Sequence, residues 1–363
     1  MAVDATPMLG HRSGIGQFTA GLLHALDARP ELTVRRYAVT WRGHRDAGAT
    51  GWPVPARLAH RCWARFDGPR IERFWPGSSV AVVHGTNYVV PPTGAARVVS
   101  VHDLTMVRFP HLCPPATLRF PKLVQRAIAR GAVVHADSFF VADEIRNWQP
   151  VARVRVVHPG IAPVPGSREP RVRSGPPYLL AIGTIEPRKD HPTLVRAFAE
   201  LATRPDLDDL RLVIVGADGW GSTAFEGALS TLPEAIRRRI DRRGFVNDGE
   251  RDALLDGAAA FVYPSVYEGF GIAPLEAMAR RVPVVATAAG SLPEILGDAA
   301  TLVAVGDADA LAAGIDLVLA DPNPWQPRGL ACVAQYSWSA AAEAMSDVYQ
   351  EARLEHLDRR KRR

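Results

Sequence analysis

Cysteine is scarce in this chain: Cys62, Cys113 and Cys332 are the only three in 363 residues. Their odd number and wide spacing support neither a disulfide framework nor a metal cluster, and they fit a reducing compartment. Lysine is equally scarce, with only Lys122, Lys189 and Lys361 among 43 basic residues. In such a background a lysine at a loop is worth inspecting. No run approaches about eighteen apolar residues, so the sequence offers no membrane-spanning helix. Met1 leads into a strand-like segment instead of a basic leader with an apolar core, and the expected location is the cytoplasm. What is present is ordinary globular material: 47% apolar residues, with 30 Gly and 30 Pro spread along the chain. That composition is neither disordered nor fibrous, and the length predicts two domains.

The net charge of +5 hides an asymmetry. Residues 1–165 carry 20 Lys and Arg against 10 Asp and Glu, residues 166–358 carry 18 against 28, and the last five residues are all basic. The basic first half is expected to face something anionic, either a phosphorylated acceptor or the inner face of the plasma membrane, or else the acidic second half. Nucleic acid is not expected, because the basic residues are scattered and no nucleic-acid motif accompanies them. The terminal Arg-Arg-Lys-Arg-Arg reads as a disordered, solvated tail. Residues 57–75 mix Arg with Trp63, Phe66, Phe74 and Trp75. They read as a half-buried helix pair, with a lipid or acceptor patch as the alternative.

Along the chain, short apolar runs alternate with helical stretches of about ten to fifteen residues, which predicts parallel α/β sheets. Strands are expected at Ala2–Ala5, Val80–His84, Val98–Val101, Val133–Ala136, Tyr178–Ile182, Leu210–Val215, Ala260–Tyr263, Val284–Ala286 and Leu302–Val303. Helices are expected at 118–130, 192–203, 229–239, 248–258 and from about Ala273. The stretch 159–177, rich in Pro, Gly and Arg, marks a domain boundary near residue 165. Two doubly wound, Rossmann-like domains facing a cleft follow from that pattern, with ligands at the carboxyl ends of strands.

Two strand ends carry the chemistry. After Ala260–Tyr263 comes Glu268-Gly269-Phe270-Gly271-Ile272-Ala273-Pro274-Leu275-Glu276. Its glycines permit close backbone approach, and Pro274 in a first helical turn leaves amides pointing outward toward an anion. Glu268 and Glu276, acceptor-only carboxylates at different heights, can each grip a diol; otherwise they are a capping acid and a solvated helix acid. After Tyr178–Ile182 comes Gly183-Thr184-Ile185-Glu186-Pro187-Arg188-Lys189-Asp190-His191. Arg188 supplies a planar fork and Lys189 a point charge, a pair suited to a diphosphate. Two cations at a helix start with no anion would oppose the helix dipole.

These segments resemble the retaining glycosyltransferases of family 4, with the GT-B fold, and among them the mannosyltransferases. The first matches that family's E-x7-E signature, and Gly183–His191 its phosphate loop. Weaker matches run along nearly the whole chain: RSGIGQF, VHDL, ADSFFVADEI, GFVNDGE, TAAGSLPEIL and YSWSAAAEAMSDVY. The resemblance implies an N-terminal acceptor domain over 1–165 and a nucleotide-sugar domain over 166–335. It also implies a closing helix over 336–358 that returns to the first domain, followed by a basic tail over 359–363. It implies donor contacts at Gly14, Gly16, Gly183, Arg188, Lys189, Val246, Glu276 and the backbone of Phe270, Gly271 and Ile272. Glu268 is expected on the transferred sugar and Glu276 on the ribose. His102 is expected near the sugar, where it can donate to a hydroxyl or help move a proton, and Asp103 beside it; either is otherwise a strand-end hydrogen-bonding group.

The expected activity is transfer of a hexose, with GDP-mannose favoured and UDP-hexose as the alternative, to a lipid-linked or polysaccharide-precursor acceptor. No cofactor or metal is expected. Asp206-Leu207-Asp208 precedes a strand and Asp307-Ala308-Asp309 reads as a helix cap, so neither Asp-x-Asp pattern sits where a metal would serve transfer. Neither glycine cluster completes a dinucleotide fingerprint, which disfavours an oxidoreductase. An epimerase would need acid and base residues that find no place here. A catalytically idle nucleotide-sugar-binding partner is opposed by the intact Glu268, Glu276, Arg188 and Lys189.

Overall fold

Val83, Val98, Val99, Val133 and Val134 are completely buried, as strands covered on both faces by helices must be. The computed structural model describes residues 1–10, 14–41, 48–74, 80–164 and 175–362. Among these, one parallel sheet contains β1 (Ala2–Asp4), β2 (Arg35–Val39), β3 (Thr50–Trp52), β4 (Val82–Gly85), β5 (Ala96–Val101), β6 (Val133–Ala136) and β7 (Arg153–Val156), in the order β3-β2-β1-β4-β5-β6-β7. A second parallel sheet contains β8 (Tyr178–Ile182), β9 (Arg211–Val215), β10 (Ile240–Gly244), β11 (Ala260–Tyr263), β12 (Val284–Thr287) and β13 (Thr301–Val303), in the order β10-β9-β8-β11-β12-β13. One compact unit comprises Met1–Gly160 with Tyr336–Arg363, and the other Ile161–Gln335. Much of the Pro/Gly/Arg stretch, residues 165–174, lies outside the described residues, as do Arg12, Ser13 and Trp75.

The strands that the apolar runs do not announce are β2, β3, β7 and β10. Three of these are sheet edges, and β2, β7 and β10 carry paired or alternating arginines. Charge on an edge strand blocks pairing with other chains and removes the apolar run that would reveal it. The single helix expected over 229–239 is two pieces, Ser222–Ser230 and Glu234–Arg237. Pro233 explains the break, since it denies an amide to a continuing helix and restricts the residue before it. The described part of the stretch expected as a helix pair, through Phe74, holds one helix, Ala56–Trp63, and a 3-10 turn, Ile71–Phe74.

The terminal helix, Trp338–Lys361, starts at Ser337, whose hydroxyl accepts from the Ala340 amide at 3.2 Å. Its buried face is Ala341, Ala342, Met345, Val348, Tyr349 and Ala352, at helical spacing. The basic run expected to be a disordered tail is helical through Lys361. Cations in a last turn suit the helix dipole, and Arg359 donates to the Gly131 carbonyl at 2.9 Å.

Tyr349 also ties this helix to the sheet through a hydrogen-bond chain whose direction is fixed at its far end. The Val157 carbonyl can only accept, so His135 Nε2, 2.9 Å away, carries the proton. His135 Nδ1 then accepts from Ser100 Oγ at 2.8 Å, and Ser100 Oγ accepts from His84 Nε2 at 2.8 Å. His84 Nδ1 is left to accept from the Tyr349 hydroxyl at 2.8 Å. Both histidines are neutral in this arrangement. Burial holds their imidazolium forms below the ordinary histidine value, His84 well below it.

Candidate active site

In the second unit, β8 ends at Ile182, and Gly183 lies against the stem of Lys189. Pro187–Lys189 forms a single 3-10 turn, after which Asp190 takes a left-handed conformation (φ 45°) and caps the helix His191–Leu201. Its carboxylate accepts from the Thr193 hydroxyl at 2.6 Å, the local bonding that lets aspartate tolerate this region. The loop is pinned to the β11 loop, because the Val266 amide donates to the Arg188 carbonyl at 2.8 Å and Arg188 Nη1 donates to the Tyr267 carbonyl at 3.0 Å.

Glu268 lies within this cluster. Its Oε1 is 2.6 Å from Lys189 Nζ and 2.9 Å from Arg188 Nη1. Arg188 also meets Glu186 at 2.8 Å, and Lys189 donates to the Tyr263 hydroxyl at 2.5 Å. Burial alone would raise the Glu268 carboxyl, but Arg188 and Lys189 reverse that and hold it down to about 2. Burial pushes the Lys189 ammonium down, and Glu268 only partly opposes this. The Glu268 carbonyl is fixed from behind by the Ser291 amide at 3.0 Å. Gly290 takes φ 58°, and a Cβ there would fall 2.2 Å from that same carbonyl oxygen.

Immediately downstream, Gly271 (φ 100°) precedes the helix Ile272–Ala279. The left-handed Gly271 ends the loop that carries Glu268, and the first amides of the helix, which have no partner within it, are a favourable place for an anion. Glu276 lies one turn further and does not join the cluster. It pairs with Arg251 of the helix Asp248–Gly257, and burial raises its carboxyl more than Arg251 lowers it. Val246 is buried in the loop that follows β10 and leads to Asn247, the cap of the Asp248–Gly257 helix.

In the first unit, Gly14 and Gly16, expected as donor contacts, belong to the first turn of the helix Gly14–Asp27. His102 follows β5 directly and is buried, with both ring nitrogens engaged: Nδ1 at 2.7 Å from Asp137 Oδ2 and Nε2 at 2.7 Å from the Thr86 carbonyl. In this arrangement both ring nitrogens of His102 already face acceptors within the first unit. Asp103 accepts from the Thr105 amide at 2.9 Å, an Asx turn that leads into the short helix Thr105–Arg108. Sequence reasoning missed the partners Glu186, Tyr263, Arg251, Asp137 and Thr86. Asp137 and Glu186 lay inside segments already singled out and Tyr263 at the end of an expected strand, while Arg251 and Thr86 carried no local signal.

Asp307 caps the helix Ala308–Ala320, and Asp206 lies in a 3-10 turn ahead of β9. Among the described residues no group of three or more His, Cys, Asp and Glu side chains is placed to hold a metal ion, and no helix is long and apolar enough to cross a membrane.

Residues 167–329 match the family described as glycosyl transferases group 1. The O-antigen chain mannosyltransferase B of Escherichia coli is 30% identical over 286 residues, covering 74% of each chain. A D-inositol 3-phosphate glycosyltransferase of Kineococcus radiotolerans is 28% identical, covering 92% of this chain and 75% of its own. Among solved structures, the sucrose-phosphate synthase of Thermosynechococcus elongatus superposes with a TM-score of 0.76 at 22% identity, covering 96% of this chain and 98% of its own. WaaG, a glycosyltransferase involved in lipopolysaccharide biosynthesis, gives 0.73 at 18%, covering 96% of this chain and 99% of its own. The two parallel sheets and the whole-length superpositions show the GT-B fold, and the identity to the mannosyltransferase over most of both chains shows that this chain is a glycosyltransferase belonging to the glycosyl transferases group 1 family.

Proposed function

We propose that the chain is a retaining, metal-independent hexosyltransferase that takes mannose from GDP-mannose and delivers it to a lipid-linked or polysaccharide-precursor hydroxyl. The observation that carries this reading is the cluster of Arg188, Lys189 and Glu268, whose loop runs directly into the start of the Ile272–Ala279 helix. Two cations and a helix start are suited to a diphosphate, and the adjacent carboxylate to a sugar hydroxyl. Glu276 takes the ribose diol. The mannose preference is supported by the similarity to the Escherichia coli O-antigen chain mannosyltransferase B.

In this reading the bond from the anomeric carbon to the diphosphate breaks while the acceptor oxygen bonds the same face. The acceptor proton passes to a phosphate oxygen of the departing nucleotide. Arg188, Lys189 and the helix amides hold the charge that remains, the role that a divalent ion fills in other transferases. Incubation with GDP-mannose, UDP-glucose and related donors, with and without chelator, tests the reading. Slow hydrolysis or transfer with an α-configured product, unaffected by chelator, is expected; no turnover of any donor, or an inverted product, would overturn it.

The first unit is also proposed to meet an anionic membrane face. Leu58, Phe66 and Leu118 are exposed, and burial, followed by the charges of Arg57 and Arg61, lowers the Arg119 pKa. Binding to anionic vesicles should fall more steeply with salt than donor binding does. Equal salt slopes would remove this part of the reading.

A further inference from the structure

Thr86, His102 and Asp137 are the first residues after three neighbouring parallel strands, β4, β5 and β6. Register places Val101 opposite Ala136, so the next positions along, His102 and Asp137, lie side by side at the carboxyl edge of the sheet. Open parallel sheets bind ligands at that edge.

The proton inventory of His102 follows from its neighbours. The Thr86 carbonyl can only accept, so Nε2 carries a hydrogen. At Nδ1 the partner is a carboxylate oxygen 2.7 Å away, and between an imidazole and a carboxylate the shared proton belongs on the more basic imidazole. His102 is therefore an imidazolium with both hydrogens directed at acceptors. His135, the nearest competitor for Asp137, sends its own Nε2 hydrogen to Val157 at 2.9 Å and lies 3.6 Å from Asp137 Oδ1. The ring plane is fixed as well: Phe18 meets His102 edge-on at 4.9 Å between centroids, and Tyr88 does so at 5.9 Å.

We propose that Asp137 is a positioning residue that keeps His102 doubly protonated, so that His102 offers the transfer reaction a fixed positive charge and never a base. The functional half of this statement rests on the transfer reading above. It accounts for why the acceptor proton must leave by another route, the departing phosphate. The titratable groups facing His102 are Asp137 and His135 from β6 and its following loop, Asp103 beside it, His84 from β4, and Tyr88. Burial alone would push the His102 imidazolium down; Asp137, the Thr86 carbonyl and Asp103 outweigh that, and its net shift is upward.

Histidine-labelled full-length protein, with His102→Gln to assign the signal, lets nitrogen NMR count the protons on His102 as pH rises from about 6 to about 9, a window that brackets the ordinary histidine value. His102 should remain doubly protonated above its ordinary value in the wild type and lose that proton earlier in Asp137→Asn. Under the transfer reading, Asp137→Asn should lower kcat on the order of a hundredfold, with donor KM little changed and a new fall in rate as pH rises through neutrality; Asp137→Glu should restore part of it. A His102 that titrates at or below its ordinary value in the wild type overturns the proposal. An intact ion pair with no change in the pH profile of Asp137→Asn overturns the positioning role. Absence of any turnover by the wild type overturns the transfer reading instead, and the proton count still decides the state of His102.

Discussion

Lys189 Nζ lies 2.6 Å from Glu268 Oε1, so the cation assigned to the donor diphosphate already has an anion. Arg188 is shared between Glu268 and Glu186. Two cations and two carboxylates balance without a ligand, and an incoming diphosphate must compete with a carboxylate for them. Glu268→Gln should therefore bind GDP or UDP about tenfold more tightly, as expected when a like charge is removed from a buried site. The same variant should lose sugar transfer, because the amide cannot accept as the carboxylate does. Calorimetric titration of nucleoside diphosphate into both proteins checks this, and weaker binding by the variant would contradict it.

The same pair makes a pH prediction. The Glu268 carboxyl is held at about 2, below the ordinary carboxylate value of 4.5. A depressed carboxylate contributes stability that is fully present above the unfolded value and lost as pH falls through the folded one. The stability difference between wild type and Glu268→Gln should thus be constant above about pH 5 and shrink toward pH 2, the window between those two values. Denaturant unfolding at several pH values measures it. A difference that does not change with pH would show that the carboxylate is not paired.

Gly290 permits the contact behind Glu268. At φ 58° a Cβ would fall 2.2 Å from the Glu268 carbonyl oxygen, so Gly290→Ala must displace the active-site loop. A loss of about 1–3 kcal/mol of stability and most of the activity is expected. Gly297, at φ 50° with nothing within 4 Å of its Cβ position, is the control. Gly297→Ala should cost about 1 kcal/mol and leave activity intact. Similar activities for the two variants would contradict the buttressing role.

Tyr349 is the only donor that the hydrogen-bond chain provides to His84 Nδ1. Tyr349→Phe leaves a buried acceptor unsatisfied and should lower stability by about 1–3 kcal/mol in urea unfolding. A loss within about 0.5 kcal/mol would mean that His84 Nδ1 does not rely on the Tyr349 hydroxyl.

Much of this could be read directly from the amino acids. Arg188, Lys189, Glu268 and Glu276 stand out because glycines and charges follow buried strands, a local pattern, and the central strands announce themselves as apolar runs. Their pairings do not. Glu268 meets Lys189 across 79 positions, and His102 meets Asp137 across 35. No spacing rule reaches that far, so the closed ion cluster and the charged state of His102 emerge only from the fold. The edge strands β7 and β10 were hidden for a different reason, since their arginines suit a sheet edge and leave no apolar run to mark a strand. The basic C-terminal run looked like a solvated tail because its anchor, the Gly131 carbonyl, is 228 positions away.

The most direct test of the donor site is titration of GDP-mannose and UDP-glucose into wild type, Lys189→Ala and Glu276→Ala. Binding of at least one donor by the wild type and a loss of about tenfold or more in both variants is the predicted result, as expected when a charge-assisted contact is removed. Undiminished affinity in Lys189→Ala would contradict the assignment of this cluster to the diphosphate.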